Sequence, residues 1–186
     1  MAKVYAFLAD GCEEVEALTS IDFLRRAGHD VVGVSIMDEL LINGSNGIQF
    51  LANEILDEMS DEELSGGDLF FLPGGGVGTQ NLKDCSRLGE LLIKWNAAGK
   101  KIAAICAAPT VLGGLGLLKR KKATCYPGCE SDAFEADFQA VPAVTDGNIT
   151  TGRGPGASID FALELIRVLD GEEKRAEIKA GTVFAY

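Results

Sequence analysis

The sequence predicts an α/β fold in which helices cover both faces of a doubly wound, mostly parallel sheet. Short runs rich in β-branched and aromatic residues alternate with longer amphipathic segments, and this alternation is typical of parallel strands joined by helices. The length of 186 residues and the 47% hydrophobic content fit one globular domain over residues 1–186. In such folds ligands bind beyond the carboxyl ends of the strands, so we expect a site at that edge.

Strands are predicted where short apolar runs lie between turn residues. These runs are Lys3–Leu8, Asp30–Ile36, Asp68–Pro73, the run from Lys101 that ends at Cys106, and Ile149–Thr151. The dipeptide Asn43-Gly44 favours a tight turn, which predicts a hairpin over Leu40–Asn53.

Helices are predicted where apolar residues recur at helical spacing. They are Glu13–Ala27, Ile55–Leu64, Ser86–Ala98, a helix that begins at Ala107, residues 154–169 and Glu172–Ala180. Residues 122–148 show no clear period.

Charge and composition exclude several classes of protein. The net charge of −11 disfavours nucleic-acid binding. The one basic cluster, at residues 119–122, is more typical of a solvated turn than of a nucleic-acid contact. The longest uncharged stretch, residues 102–118, falls short of the ~20 residues that a membrane helix needs. The amino terminus lacks the pattern of a signal peptide. A cytoplasmic location is therefore expected, with five free thiols.

Cys106 is the strongest candidate for chemistry. It lies where an apolar strand turns abruptly into a helix, which is the geometry of a nucleophile elbow. The amino terminus of a helix at Ala107 would favour the thiolate form of that cysteine.

Glu16 is the candidate partner of this thiol. It follows the first strand and falls on the apolar stripe of the first helix, so its carboxyl would be protonated by burial or hydrogen-bonded. Periodicity alone leaves a functional and a structural role equally open. Glu13 and Glu14 are more simply explained as first-turn acids that complement the helix dipole.

Two glycine-rich segments follow strands at the same edge. Residues 74–78 do not match the dinucleotide-binding or P-loop patterns. The segment that begins at Gly74 is better interpreted as a tight turn whose backbone N–H groups face the thiol, as in an oxyanion hole. Residues 152–156, which include Arg153, could hold an anion at a helix start or form a plain turn.

Histidine chemistry, metals and cofactors are disfavoured. The only histidine, His29, lies at the far end of the first helix, roughly 20 Å from the expected site. A cysteine–histidine dyad within one subunit is therefore excluded, and one histidine without a C-x-x-C pair argues against zinc.

Four motifs together resemble the ThiJ/PfpI superfamily, most closely its DJ-one branch. They are Ala103–Thr110 around Cys106, residues 72–82 with their glycines, Gly11–Glu16, and residues 152–162. The resemblance runs nearly end to end. It implies a flavodoxin-like sandwich, a homodimer and a reactive Cys106 that is hydrogen-bonded by a protonated Glu16, with an oxyanion hole from the N–H groups of Gly75 and Ala107.

The family resemblance also implies activity. Members are described as cofactor-free glyoxalases or deglycases acting on small 2-oxoaldehydes, and as oxidative-stress sensors or chaperones. The chain departs from the pattern at Tyr126, where relatives often carry histidine, and at Asn46, the residue nearest to the position of a hairpin arginine that binds anions in some relatives. Acid–base work would then fall on Glu16, Tyr126 or water.

Two functions stay open from the sequence. The first is an enzyme in which Cys106 attacks a small aldehyde substrate, and the second is a sensor that meets an oxidant through the same thiol without turnover. A peptidase is disfavoured for want of a histidine. If Cys106 oxidises to a sulfenate, either Cys12 or Cys125 could resolve it as a disulfide.

Overall fold

The structure is a computed structural model that describes residues 1–131 and 134–184. Its strands are β1 (Lys3–Leu8), β2 (Asp30–Ser35), β3 (Leu41–Asn43), β4 (Gln49–Leu51), β5 (Glu54–Ile55), β6 (Leu69–Leu72), β7 (Lys101–Ile105), β8 (Lys122–Ala123), β9 (Asp137–Phe138), β10 (Ala143–Asp146) and β11 (Ile149–Gly152). Its α-helices are α1 (Glu14–Arg26), α2 (Asp61–Ser65), α3 (Gly76–Asp84), α4 (Ser86–Ala97), α5 (Pro109–Gly114), α6 (Ser158–Asp170) and α7 (Glu172–Gly181). Short 3₁₀ helices span Leu56–Glu58 and Pro155–Ala157.

Within the described residues, a seven-stranded sheet has the order β10-β11-β7-β6-β1-β2-β5. Every neighbouring pair is parallel except β10 and β11. The chain crosses from one side of β1 to the other between β5 and β6, because β2 and β5 lie on one side of β1 and β6, β7, β11 and β10 on the other. The predicted α/β fold with a mostly parallel sheet is confirmed.

Helices pack on both faces of this sheet. Helices α1 and α6 cover one face with apolar side chains that include Phe23 and Phe161, and α4 covers the other through Trp95. Strand β1 serves both layers, since Val4 packs in the first and Tyr5 in the second. Each large side chain buried in this way stabilises the fold by about 1.5–3 kcal/mol, which holds the strand ends at the site in fixed positions.

Several predicted elements differ in the structure. The predicted helix over Ile55–Leu64 is wrong, because that segment forms the end of β5, a 3₁₀ turn and the start of α2. Helix α3 was not predicted, since its two glycines disfavour helix. The hairpin forms, but its loop spans residues 44–48 rather than a tight turn at Asn43-Gly44. The loose segment 122–148 contributes β8, β9 and β10.

His29 lies at the amino-terminal end of the sheet. Its Nε2 is 2.8 Å from Asp170 Oδ2, and its Nδ1 accepts a hydrogen bond from the Ala2 N–H at 3.1 Å. The imidazole therefore ties the start of β1 to the end of α6, at the opposite end of the strands from Cys106. In the part of the chain that the structure describes, no helix is long and apolar enough to cross a membrane.

Candidate active site

Cys106 sits directly after β7 in a strained backbone conformation. Its φ of 66° is unfavourable for a residue with a Cβ, and such strain persists only where neighbours enforce it. Here the Cys106 N–H donates to Gly152 O at 2.9 Å, and its carbonyl accepts from the Tyr126 N–H at 2.8 Å. Both backbone groups are thus held, which turns the side chain away from the direction of the strand.

The sulfur of Cys106 faces two backbone donors. The N–H groups of Gly75 and Ala107 lie near it and favour its thiolate form, since both lower the pKa of the thiol. The side chain is buried, with 8% of the residue exposed. The structure therefore brings together the thiol and both donors that the family resemblance indicates.

Glu16 reaches the same point from the first turn of α1. The residue is fully buried, and its Oε2 accepts a hydrogen bond from the Gly74 N–H at 2.8 Å. Burial raises the pKa of Glu16 to about 7, although the Cys106 thiol and the Gly74 N–H partly oppose this rise. Its Oε1 is buried and has no hydrogen-bond partner among the described residues.

The expectation that a helix amino terminus favours the Cys106 thiolate is wrong in its net direction. Helix α5 begins at Pro109 and has six residues, so no long helix dipole starts at the thiol. Burial and the charge of Glu16 raise the pKa of Cys106 to about 12, while the N–H groups of Gly75 and Ala107 lower it. Because part of this rise comes from ionised Glu16, the two groups titrate as a coupled pair.

Glycine is required at position 74 for this pair to meet. A Cβ on Gly74 would lie 2.6 Å from Cys106 Cβ and 2.7 Å from Glu16 Oε2. Gly75 has a φ of 92°, and a Cβ there would lie 2.3 Å from the Gly11 carbonyl oxygen. These glycines admit close backbone approach, which is what carries donor groups to the thiol.

The three acids at the start of α1 have different roles. Glu13 is the N-cap, and its side chain accepts from the Glu16 N–H at 2.8 Å. Glu14 is 2% exposed and accepts from the Asn46 N–H at 2.7 Å and from the Ile48 N–H at 3.2 Å. Glu14 lies in the first turn of α1, as predicted, and it is also a buried anchor of the hairpin loop.

The charge on Glu14 is maintained by these donors. Burial alone would raise its pKa, but hydrogen bonds from Asn46 and Ile48 outweigh burial and lower the pKa to about 2. Asn46, which stands nearest to the position of the family's hairpin arginine, is thus occupied with Glu14. Sequence reasoning missed this anchor, because its hydrogen-bond donors lie in a loop more than thirty positions from Glu14.

A cavity of about 410 Å³ opens beside the elbow. Tyr126 and Arg153 line it together with Pro127, Ala140, Val141, Pro142 and residues 154–157. Tyr126 is half exposed, and its ring packs against Gly154. Within residues 1–131 and 134–184, the Arg153 guanidinium has no carboxylate partner, so an anion could bind there.

The two candidate resolving thiols, Cys12 and Cys125, lie in different positions relative to Cys106. Cys12 is fully buried in a separate cluster with Leu8, Ala17, Ile42 and Ala52, and burial raises its pKa to about 12. Cys125 is 2% exposed and immediately precedes Tyr126, whose N–H binds the Cys106 carbonyl. The structure therefore places Cys125, but not Cys12, in the segment that contacts the elbow.

No group of three or more histidine, cysteine or acidic side chains is placed to hold a metal within the described ranges. The site as it stands consists of a thiol, a carboxyl and backbone N–H groups.

Comparison with known proteins assigns the chain to a family. Residues 2–168 match the model of the DJ-1/PfpI family. Protein dj-1beta of Drosophila melanogaster is 36% identical over 183 residues, covering 96% of this chain and 95% of the relative. Protein DJ-1 homolog B of Arabidopsis thaliana is 38% identical, and the match covers 97% of this chain.

The chain spans only 41% and 44% of the lengths of two Arabidopsis relatives that it matches, the DJ-1 homologs B and A.

Solved structures give the same result. A structure described as Toxoplasma gondii DJ-1, oxidized, superposes with a TM-score of 0.92 at 38% identity, covering all of both chains. The crystal structure of Drosophila melanogaster DJ-1beta superposes with a TM-score of 0.91 at 34% identity, covering 100% of this chain and 99% of the relative. The chain belongs to the DJ-1/PfpI family, and it has the flavodoxin-like α/β fold of its relatives.

Proposed function

We propose that the chain is a cofactor-free glyoxalase that adds water to a small 2-oxoaldehyde and releases a 2-hydroxy acid. The observation that carries this proposal is the buried pairing of the Cys106 thiol with the Glu16 carboxyl, beside the N–H groups of Gly75 and Ala107. A thiol, a proton carrier and donors for an oxyanion are the groups that this isomerisation requires.

The first step is attack by Cys106. Its sulfur bonds to the aldehyde carbon, C1, and the aldehyde oxygen becomes an alkoxide that takes up a proton to give a hemithioacetal. The N–H groups of Gly75 and Ala107 would stabilise the charge that develops on this oxygen. Removing one such donor from an oxyanion hole typically lowers the rate about 10²–10³-fold.

The second step moves hydrogen from C1 to C2. Glu16 as carboxylate removes the C1 proton, which gives an enediolate, and protonated Glu16 returns a proton to C2. C1 is thereby oxidised to a thioester carbonyl and C2 is reduced to an alcohol. A carboxyl with a pKa of about 7 can accept and donate at neutral pH.

The third step releases the acid. Water adds to the thioester carbonyl, the carbon–sulfur bond breaks, and Cys106 recovers its proton while the product leaves as a carboxylate. Arg153 borders the adjacent cavity, where its guanidinium could bind this carboxylate. No histidine takes part in these steps.

One relative supports this choice of reaction. The chain is 29% identical over 167 residues to a Caenorhabditis elegans protein named glutathione-independent glyoxalase DJR-1.2, covering 89% of this chain and 87% of the relative. A deglycase reaction on protein adducts of the same aldehydes would use the same thiol and carboxyl. The family resemblance also leads us to propose a homodimer.

The test is lactate formation from methylglyoxal without added glutathione. Cys106→Ser should reduce the rate to that of buffer, while Cys85→Ser, a change at a half-buried cysteine between α3 and α4, should leave it unchanged. Chiral analysis of the lactate separates enzymatic product from the racemic background. Equal rates in the Cys106→Ser and unsubstituted proteins would refute the proposal.

A second candidate function is an oxidative-stress sensor that uses Cys106 without turnover. The observation that favours it is the relative from Toxoplasma gondii, which was solved in an oxidised form. Sulfenate or sulfinate oxygens on Cys106 would accept hydrogen bonds from protonated Glu16 and from the Gly75 N–H. Peroxide-dependent sulfinate at Cys106, in a protein that forms no lactate, would favour the sensor over the enzyme.

A further inference from the structure

Two cysteines other than Cys106 flank a tight turn at the edge of the site. The Cys129 N–H donates to the Tyr126 carbonyl at 2.9 Å, and Gly128 has a φ of 91°. Proline at the second position and a glycine with positive φ at the third are typical of a type II turn. In such a turn the Cα atoms of the first and fourth residues, here Tyr126 and Cys129, lie within about 7 Å, and Cys125 directly precedes the first of them.

The two thiols occupy one electrostatic neighbourhood. Burial raises the pKa of Cys125 to about 12, and the charges of Glu130 and Cys129 add to this rise. Cys129 is half-buried, whereas Cys125 is buried. Cys129 is thus the more accessible of the two cysteines to reagents in solution.

We propose that Cys125 and Cys129 form a reversible disulfide under mild peroxide, independently of Cys106, and so make this turn a site of oxidative modification. The linked residues would enclose the segment Tyr126-Pro127-Gly128 in a small ring. A disulfide requires Cα atoms about 4.4–6.8 Å apart, and the turn folds Cys129 back to Tyr126, the residue bonded to Cys125.

The reaction balances with peroxide as the oxidant. The thiol of Cys129 loses its proton, its sulfur attacks one peroxide oxygen, and the oxygen–oxygen bond breaks. The hydroxide that leaves takes up that proton, which yields a sulfenic acid and one molecule of water. The sulfur of Cys125 then attacks the sulfenyl sulfur and expels the hydroxyl group, which leaves as a second water with the proton of Cys125. Two thiols are oxidised, and one peroxide is reduced to two waters.

The position of the turn gives the disulfide a consequence. The N–H of Tyr126 holds the Cys106 carbonyl, and the Tyr126 side chain lines the cavity with Arg153. Crosslinking the flanking cysteines would restrict this segment without altering the Cys106 sulfur. Oxidation would then modify two cysteines at the border of the site rather than Cys106 within it.

Tryptic digestion after peroxide treatment and alkylation distinguishes the pairings directly. Cys125 and Cys129 are the only cysteines between Lys122 and Arg153, and Cys106 lies alone between Lys101 and Lys119. A disulfide between Cys125 and Cys129 therefore stays within one peptide that has lost two hydrogens and carries no alkyl group. A bond from Cys125 to Cys106 would join two peptides.

We expect the intrapeptide disulfide in the unsubstituted protein and equally in Cys106→Ser, its loss in Cys129→Ser, and full alkylation of both cysteines after dithiothreitol. Cys85→Ser serves as a matched control and should retain the disulfide. A crosslink between the Cys125 and Cys106 peptides would overturn the proposal. So would complete alkylation of Cys125 and Cys129 under conditions that oxidise Cys106. The unsubstituted protein suffices for this decision, and neither result depends on glyoxalase activity.

Discussion

Glu16 on helix α1 accepts a hydrogen bond from the Gly74 N–H at 2.8 Å, joining two segments that are 58 positions apart. Gly74 lies two residues after β6, and Cys106 directly follows β7, the strand that pairs with β6. This single contact fixes the carboxyl against the thiol, because Gly74 lies between them without a side chain. The surroundings of the Cys106 thiol are therefore formed by three segments: the start of α1, the residues after β6, and the turn that contains Cys106 itself.

Substitution of Gly74 by alanine should disrupt the thiol–carboxyl pair. The added Cβ would lie 2.6 Å from Cys106 Cβ and 2.9 Å from the Ile105 carbonyl oxygen, and overpacking of this kind costs about 1–3 kcal/mol. Gly76→Ala is the matched control, since a Cβ there meets nothing within 4 Å. Chemical unfolding should show the loss for Gly74→Ala alone. Equal stability of the two variants would contradict this account of the glycine.

Glu14 should stabilise the hairpin loop only while it is ionised. Its pKa of about 2 in the folded protein lies below the ordinary value of 4.5, so its contribution is present above pH 4.5 and is lost as the pH falls toward 2. Glu14→Gln should destabilise the protein at pH 7 by about 1.5–3 kcal/mol, the range for hydrogen bonds to a charged group.

The exposed acid Glu90 provides the control for this experiment. Glu90→Gln should change the free energy of unfolding by less than about 0.5 kcal/mol. If the two variants unfold alike at pH 7, Glu14 is not an anchor of the loop.

Glu16 should affect stability with the opposite sign. Its folded pKa of about 7 lies above the ordinary value of 4.5, so its contribution is fully present below pH 4.5 and is lost as the pH rises through 7. The shift corresponds to about 3 kcal/mol. The stability of Glu16→Gln relative to the unsubstituted protein should therefore rise by about this amount between pH 4.5 and 8 in urea unfolding. A difference independent of pH would show that Glu16 is not protonated by burial.

The sequence was sufficient where local pattern decides structure. The apolar run before Cys106 predicted a strand and its abrupt end, and the stripe on the first helix placed Glu16 inward. Helix α3 escaped prediction because Gly76 and Gly78 disfavour helix locally, whereas packing of Gly78 against the Cys12 backbone requires a residue without a Cβ.

The charges at the site were harder to predict because they depend on segments distant in sequence. The local turn indicated a lowered thiol pKa, but burial and Glu16 raise it. Likewise, the role of Glu14 depends on Asn46 and Ile48 in a loop more than thirty positions away. Periodicity identifies which face of a helix is buried, but it does not identify the donors that meet it there.

The central claim is that Cys106 and Glu16 titrate as one coupled pair, in which ionised Glu16 raises the pKa of the thiol. It is tested most directly by the pH dependence of iodoacetamide alkylation at Cys106, read by mass spectrometry of the peptide from Ile102 to Lys119. Because ionised Glu16 raises the pKa of the Cys106 thiol, alkylation in the unsubstituted protein should stay slow as the pH rises through 7, where Glu16 loses its proton. In Glu16→Gln alkylation should begin at a lower pH, because the charge that disfavours the thiolate is gone, while Glu90→Gln should match the unsubstituted protein. Identical alkylation profiles with and without the Glu16 carboxyl would contradict the account.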